Sequence, residues 1–358
     1  MRILVLNAGS SSLKYQLVEA GGHEERVVVK GGVERIGAPG SPVHNHTEAV
    51  EEVLAASGAV DGVGHRVVHG GERFRESAVI DLAVEQAIVE CCELAPLHNP
   101  HSLACYRAAH SLLPSVPHVA VFDTAFFHTL PRKAFLYAVP YEYYEHDHLR
   151  RYGFHGTSHR YVTGKAAEAL GIAPSEVKLI TCHLGNGCSV CAVDGGRAVD
   201  ISMGLTPLEG LVMGARSGDI DPGVIFHLAR KYGMTMDAID DLLNRKSGLL
   251  GLSGRSNDMR DLVQAAAAGD ERAAMAVEVF CYRVKKYIGA YWAVLGGADA
   301  IVFTGGIGEN RAEVRAQICE GLGGLGAEVL VIPTNEELLI ARDTVRLISG
   351  RGSGSKRR

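Results

Sequence analysis

The sequence predicts an α/β protein made of two related halves, and three observations carry that expectation. Apolar, β-branched runs alternate with helix-period segments along the chain. The stretch Ile3–Val18 reads as apolar strand, Asn-containing Gly/Ser turn and apolar strand, and Leu179–Val193 repeats that order. The candidate ligand-binding residues follow the C-terminal ends of strands, where open α/β sheets take their ligands. A duplicated architecture with its site in a cleft between the halves is therefore expected.

In chain order, Ile3–Leu6 is apolar enough for a buried strand, and Gly9-Ser10-Ser11-Ser12 is a small-residue turn into a second strand bearing Lys14. Backbone N–H groups, hydroxyls and an ammonium together suit phosphate oxygens. The turn is not a Walker loop, since the G-x-x-x-x-G-K-[ST] spacing is absent and a strand follows. By itself it would equally suit an ordinary hairpin. Strands with polar turns continue to about residue 35; Gly37–His46 is a loop and Glu48–Ser57 a short helix. Gly62–Gly71 is a strand ending in a glycine turn, Leu82–Leu94 a helix stopped by Pro96, and His118–Asp123 a buried strand delivering an aspartate. The pattern restarts after Arg151. A helix is expected over Ser158–Leu170, strands over 177–184 and 188–194, and helices over 222–232, 235–244, 258–268 and 270–295. Ala300–Gly306 supplies the final strand and turn, and Ser349–Arg358 a disordered tail.

With 358 residues, 47% hydrophobic and 22% charged, the chain can bury two cores. A net charge of −5 gives no reason to expect nucleic acid or an anionic membrane as partner. No apolar run reaches membrane-spanning length and the N-terminus enters a strand at once, so the expectation is a cytoplasmic protein without a signal peptide. The eight cysteines are then reduced. Cys188-x-x-Cys191, with Cys182 and His183 before it, lacks the second pair a structural zinc site needs and reads as buried strand thiols. His146 and His148 lie in a charged, solvated stretch suited only to adventitious metal.

His183-Leu184-Gly185-Asn186-Gly187 is a second phosphate-type turn, and Thr304-Gly305-Gly306-Ile307-Gly308-Glu309-Asn310 a third glycine-rich turn before a helix. Two phosphate hairpins and a late glycine turn resemble the superfamily of acetate and sugar kinases, heat-shock chaperones and actin. Within it, nine blocks resemble the acetate kinase family: Asn7–Lys14, Gly64–Glu72, Ala95–Pro100, Phe122–Phe126, Arg151–His159, Met203–Gly214, Arg216–Pro222, Ser256–Asp261 and Ile332–Leu338. The resemblance spans Met1–Thr344. It departs in segments shortened near 37–46 and 323–327, and in His101-Ser102, Phe127-His128, Ile201 and Ala215. It implies two actin-like, ribonuclease H-like domains: 1–148, completed by a helix over 337–348, and the nucleotide-binding 149–336.

The reaction so implied is phosphoryl transfer from ATP to the carboxylate of acetate, giving ADP and acetyl phosphate, with Mg²⁺ (Mn²⁺ as a substitute) in a homodimer. Catalysis of such a transfer is positioning and cationic stabilisation. The resemblance assigns Asp123, His155 and Arg216 to catalysis, with Arg66 on the substrate. Asn7 and Glu336 fall to the metal. Lys14, His183, Leu184, Gly185, Asn186 and Gly187 fall to the ATP phosphates, and Asp258, Met259, Arg260, Gly306, Ile307, Gly308, Glu309 and Asn310 to the nucleoside. Val68, Leu97, Phe154 and Pro207 are expected to wall the acetate methyl, Val68 two residues beyond Arg66 on one strand. Read alone, either arginine suits a surface ion pair, Asp123 or Asp258 a helix cap, and His155 with His159 an i,i+4 pair lacking the Glu of a zincin helix. Removing either arginine is expected to cut kcat and leave the fold intact. The rival with the same chemistry is a propionate or other short-chain acyl kinase. Others are an ATP-driven conformational switch of the chaperone or actin kind and a polyphosphate or pyrophosphate hydrolase.

Overall fold

The computed structural model describes residues 1–22, 24–96 and 98–353. It divides into two compact units, Met1–His128 with Asn335–Arg358, and Thr129–Thr334.

In the first unit, β1 (Arg2–Ala8), β2 (Ser12–Glu19), β3 (Arg26–Glu34), β4 (Gly62–Val67), β5 (Ala78–Val79) and β6 (His118–Phe122) form one sheet in the order β3-β2-β1-β4-β6-β5. β1 to β3 are an antiparallel meander, and β4 and β6 run parallel to β1. The continuous apolar run of β1 has a simple cause: both faces of the sheet are covered. Leu4 and Leu6 pack with the helices His46–Ser57 and Asn99–Leu112, while Ile3 and Val5 pack with the C-terminal helix Glu336–Ser353. That helix approaches so closely that a Cβ on Gly64 would lie 2.6 Å from Ile340 Cγ2 and Thr344 Oγ1, so β4 carries glycine there.

The second unit repeats the plan. β7 (Lys178–Leu184), β8 (Cys188–Asp194), β9 (Arg197–Ile201), β10 (Ala300–Thr304) and β11 (Glu328–Val331) take the order β11-β10-β7-β8-β9. Here β7 to β9 are the antiparallel meander, and β10 and β11 are parallel to β7. Even the irregularity recurs, with register shifts at Leu17/Val18 in β2 and at Ala192/Val193 in β8. The duplicated actin-like α/β architecture is thus present in both sheets.

Several boundaries differ from the sequence-based expectation. The chain leaves the first unit at His128/Thr129 rather than 148/149. Residues 129–148 are tied to the second unit: Thr129 Oγ1 donates to Ala198 O, and Tyr137 OH accepts from Leu205 N and donates to Glu209. The tail is helical through Ser353, because the apolar face of Ile340, Ala341, Leu347 and Ile348 is docked and propagation from a docked turn is cheap; 354–358 lie outside the described residues. The helix from Leu82 ends at Glu90, and Cys91 caps it. Ala300–Thr304 is not the final strand: the four-residue β11 follows glycine-rich 321–326, too short for a periodicity signal. The thiols of Cys182, Cys188 and Cys191 are fully buried, and no cluster of three or more metal-ligating side chains occurs among the described residues. No described helix is long and apolar enough to cross a membrane.

Candidate active site

In the first unit, four of the sequence-predicted residues meet at the C-terminal ends of parallel strands. Arg66, the fifth residue of β4, gives Asp123 a two-pronged contact, Nε to Oδ1 at 3.3 Å and Nη2 to Oδ2 at 2.5 Å. Its Nη1 donates to Asn7 Oδ1 at 3.2 Å, and Glu336 Oε2 lies 3.7 Å from its Nε. Asp123 is fully buried where β6 passes into a 3₁₀ turn, and the guanidinium is its counter-charge. Burial opposes the charge on Arg66, but Asp123, Glu336 and Glu337 outweigh it and raise its proton affinity. Glu337 is pushed up by burial and by Glu336. Lys14 is exposed on β2, opposite Asn7 in register. Asn7 Oδ1 and the Glu336 carboxylate are oxygen donors of the kind that suit a hard divalent cation.

Val68 is buried, but β4 ends at Val67, so strand alternation does not place it on the face of Arg66. Leu97 lies outside the described residues.

In the second unit, His155 and Arg216 converge on the β7–β8 turn. A Cβ on Gly187 would stand 3.3 Å from His155 Cε1 and Nε2 and 3.5 Å from Arg216 Nη1, so glycine leaves open the space between them. His155 opens the helix Gly156–Leu170 in a left-handed conformation, φ 59°, which costs a non-glycine residue about 1 kcal/mol. Its ring stacks on His183 with centroids 4.3 Å apart. Arg216 is held by neutral groups, Pro207 O at 3.3 Å and Met213 Sδ at 3.7 Å, and no carboxylate pairs with it among the described residues. Burial lowers its proton affinity. A desolvated guanidinium without a counter-charge is prepared to take an anion. Phe154 is buried beside His155.

The same turn forms one wall of a cleft of about 600 Å³ lined by Gly185, Asn186, Asp258, Met259, Arg260, Gly306, Ile307 and Asn310, together with Asn257 and Arg311. That volume is in the range of small-molecule sites. Asp258 caps the helix Met259–Ala267, and the Arg260 guanidinium holds its carboxyl down at about 2. Leu184, Gly308 and Glu309 do not line the cleft. Leu184 and Gly308 are buried in packing, and Glu309 accepts from Gly305 N and Thr334 N, which ties the glycine turn to the strand end. His183 turns its Nδ1 to Ser158 Oγ at 2.8 Å. Asn257, inside the quoted block Ser256–Asp261, and Arg311, next to the quoted turn Thr304–Asn310, were not singled out in the sequence reading. Ser189 escaped it too, although Ser189 lies opposite His183 in the hairpin register.

Comparison with known proteins bears on this geometry. The model of the acetokinase family matches residues 2–57 and 43–330. The chain belongs to the acetokinase family. An acetate kinase from Halothermothrix orenii is 51% identical over 398 aligned residues, covering 97% of this chain and 100% of that one. An acetate kinase from Thermotoga maritima is 50% identical over 400, covering 97% and 99%. Among solved structures, Porphyromonas gingivalis acetate kinase superposes with a TM-score of 0.92 at 43% identity, covering 97% of this chain and 99% of that one. A propionate kinase from Francisella tularensis reaches 0.91 at 40% identity with the same coverage. This member of the acetokinase family is compact: the alignments run over 398 positions or more against its 358 residues, so its relatives carry segments it lacks. The two stretches matched by the family model overlap at 43–57, next to and partly within the region near 37–46 where the sequence reading expects a shortened segment.

Proposed function

We propose that this chain catalyses ATP + acetate ⇌ ADP + acetyl phosphate, with Arg216, His155, Arg66 and Asp123 as its reaction machinery. The observation that carries the assignment of residues is Arg216: a half-buried cation without a carboxylate, beside His155, over a glycine turn that continues into a cleft of nucleotide size. In the forward reaction an acetate oxygen forms a bond to the γ-phosphorus, and the bond from that phosphorus to the β,γ-bridging oxygen breaks, leaving ADP. The charge in flight spreads over three equatorial oxygens, so fixed donors act where it develops. Arg216 supplies a two-pronged cation and His155 a hydrogen bond. Gly185–Gly187 and Lys14 serve phosphates, and the cleft walls serve ribose and adenine. Acetate is already ionised at neutral pH, so no general base is required. Asp123 holds Arg66 in place for the carboxylate or phosphoryl end of the substrate. Asn7 and Glu336 would hold Mg²⁺ or Mn²⁺, which neutralises phosphate charge when bound; the oxygen-rich donor set supports this. The eight free cysteines suit a reducing, cytoplasmic setting. The exposed apolar side chains Val224, Phe226, Tyr232 and Met236 suit a homodimer face.

Trapping with hydroxylamine tests the reading, because an acyl phosphate yields a hydroxamate and ATP hydrolysis does not. Hydroxamate formed from ATP and acetate supports it; ADP release without hydroxamate refutes it in favour of a switch or hydrolase. A second reading, propionate kinase, draws on the Francisella tularensis neighbour. On the reading that Val68 walls the acetate methyl, one methylene is worth about 1–3 kcal/mol in an apolar pocket. Acetate is expected to exceed propionate by roughly tenfold in kcat/KM, and Val68→Ala to narrow that ratio. An unchanged ratio in the variant removes Val68 from the pocket.

A further inference from the structure

Residues 202–222, between β9 and the helix Gly223–Tyr232, form neither strand nor helix, yet 210–214 are buried and Arg216 stands near the end of the segment. A segment of that length without a hydrogen-bond ladder of its own keeps one shape only where side chains pin it. Glu209 is such a pin. One of its carboxylate oxygens accepts from Arg151 Nη2 at 2.5 Å, and the other from the hydroxyl of Tyr137, which in turn accepts from Leu205 N at 2.9 Å. Arg151 turns its Nη1 to the carbonyls of Ile201, Ser202 and Met203 at 2.8, 3.2 and 3.1 Å. Gly204 lies against the same carboxylate, since a Cβ there would overlap both Glu209 Oε2 and Tyr137 OH. Residues 201–209 are thus folded back around one carboxylate. Within that fold, the carbonyl of Pro207 accepts from Arg216 Nη1 at 3.3 Å.

We propose that Glu209, clamped by Arg151 and Tyr137, is a positioning residue that holds the Pro207 carbonyl in place and so aims the Arg216 guanidinium. The inference rests on the reading of Arg216 as the cation on the transferring phosphoryl group. The backbone around Arg216 is fixed by other means. Arg216 O accepts from Met213 N at 3.1 Å. At the base of the loop Gly210 N donates to Asp219 Oδ1 at 2.7 Å, and Asp219 N donates to Gly210 O at 2.9 Å. What the Glu209 clamp adds is the direction of the side chain. A guanidinium carries its N–H donors in one rigid plane, so an acceptor fixed on Nη1 limits how the rest face an anion. A misplacement of about 1 Å in such a group can cost about 10²-fold in rate. Burial, together with the Glu209 carboxylate, pushes the Tyr137 phenol up, so its hydroxyl keeps the hydrogen it gives to Glu209. To neutralise Arg151 alone, a carboxylate anywhere beside it would serve. Here the carboxylate lies on the turn that carries Pro207, and its second oxygen is tied through Tyr137 back to Leu205 on the same turn.

The test is a double-mutant cycle in the full-length protein. Glu209→Ala and Tyr137→Phe, the second of which leaves the Arg151–Glu209 ion pair intact, are each made alone and together with Arg216→Ala. Alone, Glu209→Ala is expected to lower kcat for hydroxamate formation about ten- to a hundredfold, and Tyr137→Phe about three- to tenfold. Placed in Arg216→Ala, the same substitutions should change kcat by less than about twofold, because no guanidinium remains to be aimed. Equal losses in both backgrounds are the signature of a merely structural role. That result, or no loss in either background, would overturn the proposal. A second readout needs no turnover. Nitrogen relaxation of the Arg216 Nε–H, assigned by its absence in Arg216→Ala, should give an order parameter above about 0.8 in wild type and below about 0.6 in Tyr137→Phe. A guanidinium already mobile in wild type, or one that stays ordered in folded Tyr137→Phe, would overturn the proposal whatever the activity. Tyr137→Phe decides alone if Glu209→Ala does not fold. A wild type that forms no hydroxamate, with the expected fall in order in Tyr137→Phe, fails the functional reading and not this one.

Discussion

Arg66 and Arg216 serve the same chemistry, yet their removal should have opposite consequences for the fold. Arg66→Ala takes the partner from Asp123, which is fully buried, and leaves Asn7 Oδ1 without its donor. Breaking a buried pair from one side costs about 3–5 kcal/mol. That is a large share of the roughly 5–15 kcal/mol by which folded proteins are stable. Arg216→Ala removes a cation held by one carbonyl and one thioether, with no carboxylate left behind. The lost hydrogen bond is worth about 1 kcal/mol, and relief of the desolvated charge offsets part of it. Its stability should therefore stay within about 1 kcal/mol of wild type. In kcat, by contrast, the loss of a preorganised charge contact should cost about 10²–10³-fold. Urea unfolding gives the stabilities, and hydroxamate formation gives kcat. Adding Asp123→Ala to Arg66→Ala should recover stability and not activity, because the buried carboxylate that lost its counter-charge goes too. An Arg66→Ala protein as stable as wild type would refute the buried-pair argument. An Arg216→Ala protein that kept more than about a tenth of kcat would refute its catalytic role.

Acid should weaken the first unit. Burial lowers His69 and His118 to about 4, and burial and the neighbouring His118 hold His65 well below the ordinary histidine range. Folded values below the ordinary 6.5 mean that the unfolded chain binds more protons between those limits. The stability these neutral histidines contribute is therefore full above about 6.5 and is lost as pH falls toward 4, by up to about 3 kcal/mol for each group; a urea midpoint that is the same at pH 7 and pH 5 would contradict it. Gly64→Ala should overpack β4 against the C-terminal helix and cost about 1–3 kcal/mol, seen as easier proteolysis of that helix. Unchanged resistance would show that Ile340 and Thr344 can give way. Arg311→Ala, at the rim of the nucleoside cleft, should raise KM for ATP roughly tenfold and leave KM for acetate unmoved. Equal shifts in both would take Arg311 out of the nucleotide site.

Short-range chemistry was legible in the chain. The repeated strand–turn–strand hairpins, the long helix Glu271–Leu295 and the buried strand before Asp123 follow from local periodicity and glycine placement, which sequence carries directly. The motif blocks gave both arginines, His155 and most of the cleft wall. What sequence could not give was the company each side chain keeps. Asp123 and Glu336 both face Arg66 because a strand end and the start of the last helix meet there, and no local pattern encodes that meeting. Leu184, Gly308 and Glu309 stood inside phosphate- and nucleotide-like turns, yet packing turned them toward the core or the turn itself. Residues 129–148 joined the second unit through hydrogen bonds to positions far along the chain. Local sequence determined which elements form and which groups they carry. Tertiary packing decided which charges are paired, because pairing depends on distances between residues that only the closed chain brings within reach.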